Sequence, residues 1–282
     1  MSGKNTFLFS IDLEDPRENV VDGHKYEDRV VTNTLVFLEW LKKNKFNCTF
    51  FTVGKIGENY PDLIKQVINE GHEIACHSYS HVPTVSLGKD GFKKDIEKNL
   101  NALAKAGAQN IVGFRAPVFS LTKECTWAYE ILSEFKFTYS SSVLPAKNPL
   151  FGWEEFGNAP KKMNNGILEI PMTLSKIGPL NIPIGGGVYF RALPNYIIQK
   201  KIKDKYKNGL PVLGYFHPYD LDAKQERYMH SGINNSSFYN FLMYYNRSKV
   251  LPRLDDLLEL NINIMTYSNY ITNYKKQYGL PI

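Results

Sequence analysis

Residues 61–81 read PDLIKQVINEGHEIACHSYSH and hold one whole unit of an α/β fold. Proline is the favoured first residue of a helix and glycine the favoured stop, so Pro61 and Gly71 bracket a helix. Residues 72–76 (HEIAC) then form a short apolar run of strand length. Just past that strand come His77 and His81, which a turn or one helical turn can aim at a single ion. Polar residues at the carboxyl end of a strand are where parallel α/β barrels build their sites.

The same alternation extends in both directions. Apolar runs at 6–11 (TFLFSI), 47–53 (NCTFFTV), 111–114, 137–143, 167–172, 211–216 and 262–267 are predicted strands. Between them, Val31, Leu35, Leu38 and Leu41 stripe one helix, Phe92, Ile96, Leu100 and Leu103 a second, and Trp127, Ile131 and Phe135 a third. Pro194 begins a Lys-rich helix ending at Gly209, and a last helix covers about 249–260. Such alternation implies parallel strands joined by right-handed crossovers, a sheet or barrel covered by helices. The regularity lapses at 144–166, whose Pro, Gly and Asn content predicts a long surface excursion. No linker, repeat or low-complexity tract interrupts the chain, so 1–282 reads as a single domain.

Composition bounds the function. Hydrophobic residues make up 43% of 282, enough for a sizeable core, yet no long apolar run predicts a transmembrane segment. The amino-terminal MSGKNT enters a strand with no apolar leader, and Cys48, Cys76 and Cys125 sit in apolar segments as reduced core residues. A cytoplasmic protein is the expectation. The net charge of +6 is spread over lysine pairs that read as solvated helix faces, or as a basic rim for a sugar phosphate or an acidic membrane surface. No basic segment is interleaved with aromatics, so no nucleic-acid partner is expected; a homo-oligomer is left open.

Three further strand ends carry polar groups: Ser10-Ile11-Asp12-Leu13-Glu14-Asp15, Gly113-Phe114-Arg115-Ala116-Pro117 and Gly214-Tyr215-Phe216-His217-Pro218. Pooled with the histidine pair they give Asp12, Glu14, Asp15, His77, His81, Arg115 and His217. Two imidazoles and a carboxylate suit a zinc-like divalent ion with one position open for water. A second carboxylate beside an arginine can take a proton from that water, and a separate histidine can protonate a leaving group. The set is complete for metal-assisted hydrolysis of an amide or ester.

In their order, Asp12-Leu13-Glu14-Asp15, His77-Ser78-Tyr79-Ser80-His81, Arg115-Ala116-Pro117 and Tyr215-Phe216-His217 resemble the motifs of the polysaccharide deacetylases of carbohydrate esterase family 4, the NodB-homology domain. The resemblance covers about 6–267. It is closest to a branch linked to exopolysaccharide or surface-glycan production, which also carries a run similar to Gly185-Gly186-Gly187-Val188-Tyr189-Phe190-Arg191. The resemblance implies a distorted (β/α)7 barrel and removal of an acetyl group from an N-acetylated sugar, glycolipid or glycan. It further implies Asp12 as base, His77 and His81 as ligands of a divalent metal (Zn2+), Arg115 as the group orienting the base and His217 as the general acid. The backbone N–H of Val118 would stabilise the oxyanion.

Two positions depart from the family pattern. Leu13 stands where most members have a second aspartate, so the third ligand is Glu14 or Asp15. Alternation along a strand puts Glu14 on the side of Asp12, but a strand that ended at Leu13 would favour Asp15. Ser140 replaces an aspartate that supports the catalytic groups, which leaves His217 without that charge. The glycine run reads as backbone approaching the sugar, with Tyr189, Phe190 and Trp153 as stacking surfaces, while His72 reads as structural and His24 and His230 as surface residues. Two alternatives stay in view: hydrolysis of another small or cyclic amide, and a sugar-binding barrel without activity.

Overall fold

The computed structural model describes residues 5–148 and 151–279; residues 1–4, 280–282 and the Pro149-Leu150 part of the predicted excursion lie outside them. Its strands are β1 Thr6–Leu13, β2 Thr49–Thr52, β3 Glu73–Cys76, β4 Gly113–Phe114, β5 Tyr139–Ser140, β6 Lys161–Lys162, β7 Leu168–Glu169, β8 Leu174–Ile177, β9 Leu180–Pro183, β10 Val212–Phe216 and β11 Asn263–Met265. The α-helices are α1 Val30–Asn44, α2 Gly54–Asn59, α3 Pro61–Asn69, α4 Thr84–Lys105, α5 Trp127–Glu134, α6 Gly187–Ala192, α7 Asn195–Lys207, α8 Ser237–Tyr244, α9 Val250–Leu258 and α10 Tyr267–Tyr278.

Strands pair in the order β10-β1-β2-β3-β4-β5-β7, all parallel, with β6 antiparallel on the β7 edge. β11 pairs with Thr6–Leu8, on the edge of β1 that β2 occupies further along. Among the described residues β7 and β10 do not pair, so the sheet is a curled half-barrel.

Strand parity decides what faces the site. In β1 every residue is buried, because helices cover one face and the barrel interior the other. Phe7, Phe9, Ile11 and Leu13 pack outward against Phe37, Leu38 and Leu41 of α1, and full burial of each such side chain contributes about 1.5–3 kcal/mol. Leu8 packs inward with Phe51, Ala75, Tyr139 and Tyr267, so Ser10 and Asp12 follow it onto the inner face. The same alternation sends Ile74 and Cys76 outward and Ala75 inward, and Val212 and Phe216 outward with Leu213 inward. His77 and His217, one step past those strands, therefore start on the inner side.

The structure lengthens β1 and trims the other predicted strands, which the curled sheet pairs over only a few residues each. It adds the β8–β9 hairpin and the helices α8 and α10. It also adds α6 directly after the glycine run, where the sequence reading had no helix before Pro194.

Candidate metal and acid–base site

The base side rests on Arg115, whose side chain is fully buried at the end of β4. Its Nη1 donates to Asp12 Oδ1 at 2.5 Å and to Ser10 Oγ at 2.8 Å, its Nη2 to Tyr267 Oη at 2.7 Å, and its Nε to the Ser141 carbonyl at 3.2 Å. The guanidinium lies 3.9 Å above the Phe51 ring, with Tyr139 and Tyr267 stacked alongside. Burial opposes its charge, but Asp12 with Tyr267 and Tyr139 together outweigh burial and hold its pKa above the usual value. Asp12 is thus a carboxylate with one oxygen pinned from a rigid floor. Tyr267 and Ser141 had no role in the sequence reading.

Next to it, Glu14, His77 and His81 present one ligand atom each, all within 4.8 Å of one another. His77 Nδ1 lies 2.8 Å from the Arg115 carbonyl. A carbonyl only accepts, so Nδ1 carries the proton and Nε2 offers its lone pair to the cluster. Burial lowers the His77 pKa to about 4, which keeps that lone pair free at neutral pH. His81 Nε2 stands 2.5 Å from Glu14 Oε2, a buried oxygen with no aligned hydrogen bond. Burial raises the pKa of Glu14, yet His81, His217 and His77 together push it well below the carboxylate range. A buried carboxylate whose Oε2 meets the His81 ring, with a His77 imidazole fixed in the ligating tautomer beside them, is a donor set that fits a divalent cation.

The loop between the histidines is held from α4. Asp95 accepts from Tyr79 N at 2.7 Å and from Ser80 N at 3.1 Å, while Asn99 Nδ2 donates to Thr52 O at 3.0 Å and to Ser78 O. Ser78 and His81 take left-handed backbone angles (φ 60° and 53°) under that restraint. Asp95 and Asn99 went unread in the sequence, although buried polar residues four apart on an apolar helix face were a signal.

The structure separates Glu14 from Asp15. Asp15 turns away to accept from Arg17 Nη2 at 2.6 Å and to cap the 3-10 turn Pro16–Asn19. β1 does end at Leu13, but Asp15 still has extended angles (φ −107°, ψ 110°). The alternation thus runs on beyond the ladder, and Glu14 stays on the side of Asp12.

On the acid side, His217 Nδ1 lies 2.9 Å from Asp220 Oδ2, which also accepts from His217 N at 2.8 Å. Asp220 Oδ1 pairs with the fully buried Arg191 of α6 at 3.0 Å, and Arg191 Nη1 donates onward to the Tyr245 carbonyl at 2.6 Å. The His217 ring stacks 4.7 Å from Tyr219, and its Nε2 points inward, 3.8 Å from Glu14 Oε1. Burial disfavours the imidazolium, but Asp220, then Glu14 and Asp12, outweigh it and raise the pKa to about 9. The charge absent at Ser140 therefore comes from Asp220. Ser140 Oγ bonds to Ser142 Oγ at 2.7 Å, beside Glu169, a buried carboxylate that accepts from Ser142 N and Val143 N. Val118, a β-branched residue just past Arg115-Ala116-Pro117, is held at φ 49° and is 51% exposed. No backbone carbonyl among the described residues takes its N–H.

Residues 22–136 match the family model described as polysaccharide deacetylase. Residues 141–271 match a second model, a domain of unknown function, DUF3473. The polysaccharide deacetylase likeness at the level of a family model thus lies in residues 22–136. A peptidoglycan-N-acetylglucosamine deacetylase of Bacillus cereus is 37% identical over 70 residues, 24% of this chain and 26% of that enzyme. The chain thus aligns with about a quarter of that relative. A structure described as a putative polysaccharide deacetylase from Mycobacterium smegmatis matches 100% of this chain and 94% of its own, with TM-score 0.66 at 16% identity. An allantoinase matches 98% and 92%, with TM-score 0.63 at 13% identity. Identities this low speak for the fold, a distorted parallel barrel.

The structure places several of the expected groups elsewhere. Phe190 is 0% exposed and packs edge-on against Phe216, so it is no sugar platform; helix periodicity turns it inward where Tyr189 stays out. The glycine run approaches protein, not sugar: a Cβ at Gly185 or Gly186 would stand 1.8 Å from the Leu213 or Tyr215 carbonyl oxygen of β10. Trp153 packs against Phe156 beside a groove lined by Thr126, Glu130 and Lys162, away from the Asp12–His217 group. His230 is buried among Tyr219, Tyr228 and Tyr244, against the surface position expected, and burial lowers its pKa to about 4. Cys48, Cys76 and Cys125 are buried and free, and His72 accepts from Cys48 N at 3.3 Å in a structural role. No described helix is long and apolar enough to cross a membrane.

Proposed function

We propose that the chain is a metal-dependent N-deacetylase that removes the acetyl group from an N-acetylated sugar in glycan or surface-polysaccharide production. One observation carries the reading: Glu14, His77 and His81 form a three-ligand cluster between a carboxylate pinned by Arg115 and a histidine charged by Asp220. The buried free cysteines fit a reducing, cytoplasmic setting.

A divalent cation held by those three residues, zinc by the chemistry of the donors, would polarise the acetyl carbonyl and bring the pKa of a water toward neutrality. Asp12 takes the proton of the attacking water, and Arg115 keeps its carboxylate aimed. The N–H of Val118 donates to the oxygen that gains charge as the carbonyl becomes tetrahedral. His217 then gives its Nε2 proton to the sugar nitrogen as the C–N bond breaks, leaving acetate and a free amine. Asp220 keeps His217 in the donor form, and Tyr189 offers a surface for the sugar ring.

Acetate release from free, nucleotide-linked, lipid-linked and oligomeric N-acetylglucosamine tests this, before and after chelation and with zinc restored. Release that falls on chelation and returns with zinc is expected. Release indifferent to chelation removes the metal from the account. Hydrolysis of a cyclic amide with none of any sugar would replace the substrate class.

A further inference from the structure

Helix α8 reads SFYNFLMY and buries none of its residues. Phe238, Tyr239 and Phe241 are 65%, 56% and 49% exposed, and Tyr245 and Met229 are exposed beside them. A helix that turns its aromatic side chains to water marks a surface with a partner. Two observations say which partner.

Between the exposed Glu226 and Asp255 the chain has no aspartate or glutamate and carries four cations, of which Arg247 is buried and Arg253 is tied to the Phe190 and Leu193 carbonyls. Arg227 and Lys249 are exposed, and Arg227 lies over the Tyr244 ring of α8 at 5.6 Å. Exposed Phe and Tyr rimmed by cations are the composition of a helix that lies in the plane of an anionic bilayer. Second, the face adjoins the site. Tyr239 is close enough to interact with Tyr189 of α6, and Arg191 ties α6 to the carboxyl end of α8 through the Tyr245 carbonyl.

We propose that α8 and its basic rim dock the protein on an anionic lipid bilayer, so that the sugar it acts on is presented as the head group of a lipid. The substrate half rests on the N-deacetylase reading above, whereas the docking half is read without catalysis. The whole chain is sedimented with vesicles of mixed phosphatidylglycerol and phosphatidylcholine, and with vesicles of phosphatidylcholine alone. Wild type should follow the anionic vesicles, and added salt should weaken the binding. A Phe238→Ser, Phe241→Ser double variant should bind on the order of tenfold or more weakly. Arg227→Gln with Lys249→Gln should lose the preference for anionic vesicles. Circular dichroism and acetate release from a short soluble sugar should match wild type in both variants, which separates docking from folding.

Wild type that stays in solution with anionic vesicles overturns the docking. So does a wild-type dimer that the phenylalanine changes split into monomers, since a second copy would then cover the face. Vesicle binding without acetate release from any sugar would fail the deacetylase reading and leave docking intact.

Discussion

The two sides of the site solve one problem with opposite architecture. On the proposed base side stands Asp12, and the charge that aims it is Arg115, held by Ser10, Ser141 and Tyr267 within the barrel. On the proposed acid side stands His217, the charge that aims it is Asp220, and Arg191 stands behind. These last two come from a 3-10 turn and from α6, outside the sheet. The base is thus fixed by strand ends and an aromatic floor, the acid by a chain of polar contacts that ends at the α8 carbonyls. The sheet side should be rigid and unforgiving, the outer side adjustable.

The largest effect should come from the cluster between them. His77→Ala or Glu14→Ala should empty the metal site and abolish chelator-sensitive acetate release, whereas Asp15→Ala should leave metal content unchanged; metal analysis of the purified variants checks this. Metal retained in Glu14→Ala and lost in Asp15→Ala would reverse the assignment. Asp12→Asn should keep the metal and lose about 10²–10⁴-fold in rate, measured as acetate release under saturating zinc. Arg191→Lys keeps a charge but not the fork that meets Asp220 and the Tyr245 carbonyl, and should cost about 10–100-fold in kcat with metal content intact. The smallest effect on rate belongs to Ser140→Asp. It would add a buried carboxylate beside Glu169, so thermal unfolding should show a loss of about 1–3 kcal/mol with no gain in activity. A faster Ser140→Asp enzyme would mean that the outer relay does not supply the acid side.

How far the sequence was legible follows the same division. Asp12, His77, Arg115 and His217 stand at or just past strand ends, where alternation and the parallel order determine which side chains face inward. Glu14 was legible for the same reason, since extended backbone outlasts the ladder. Asp220 was not, because the charge missing at Ser140 across the barrel is supplied from a turn three residues past His217. The signal was local: Pro218 opens the turn and Asp220 falls where its carboxylate reaches the His217 N–H. Arg191 was hidden by the glycine run, whose missing side chains let backbone approach β10 and leave no periodicity to read. α10 packs on a mostly tyrosine stripe (Tyr267, Tyr270, Ile271, Tyr274) among amide residues, and α8 buries nothing that would produce an apolar stripe.

The most direct measurement is the pH dependence of kcat/KM for wild type and Asp220→Asn. His217 has a pKa raised to about 9, so its donor form is present below that pH and is lost above it. Removing the Asp220 carboxylate removes the largest influence that raises it, while burial still lowers it. Any cation in the cluster is common to both proteins. Activity of Asp220→Asn should therefore fall at lower pH than that of wild type, with the acid limb and metal content unchanged. An alkaline limb at the same pH in both proteins would contradict the claim that Asp220 charges the general acid.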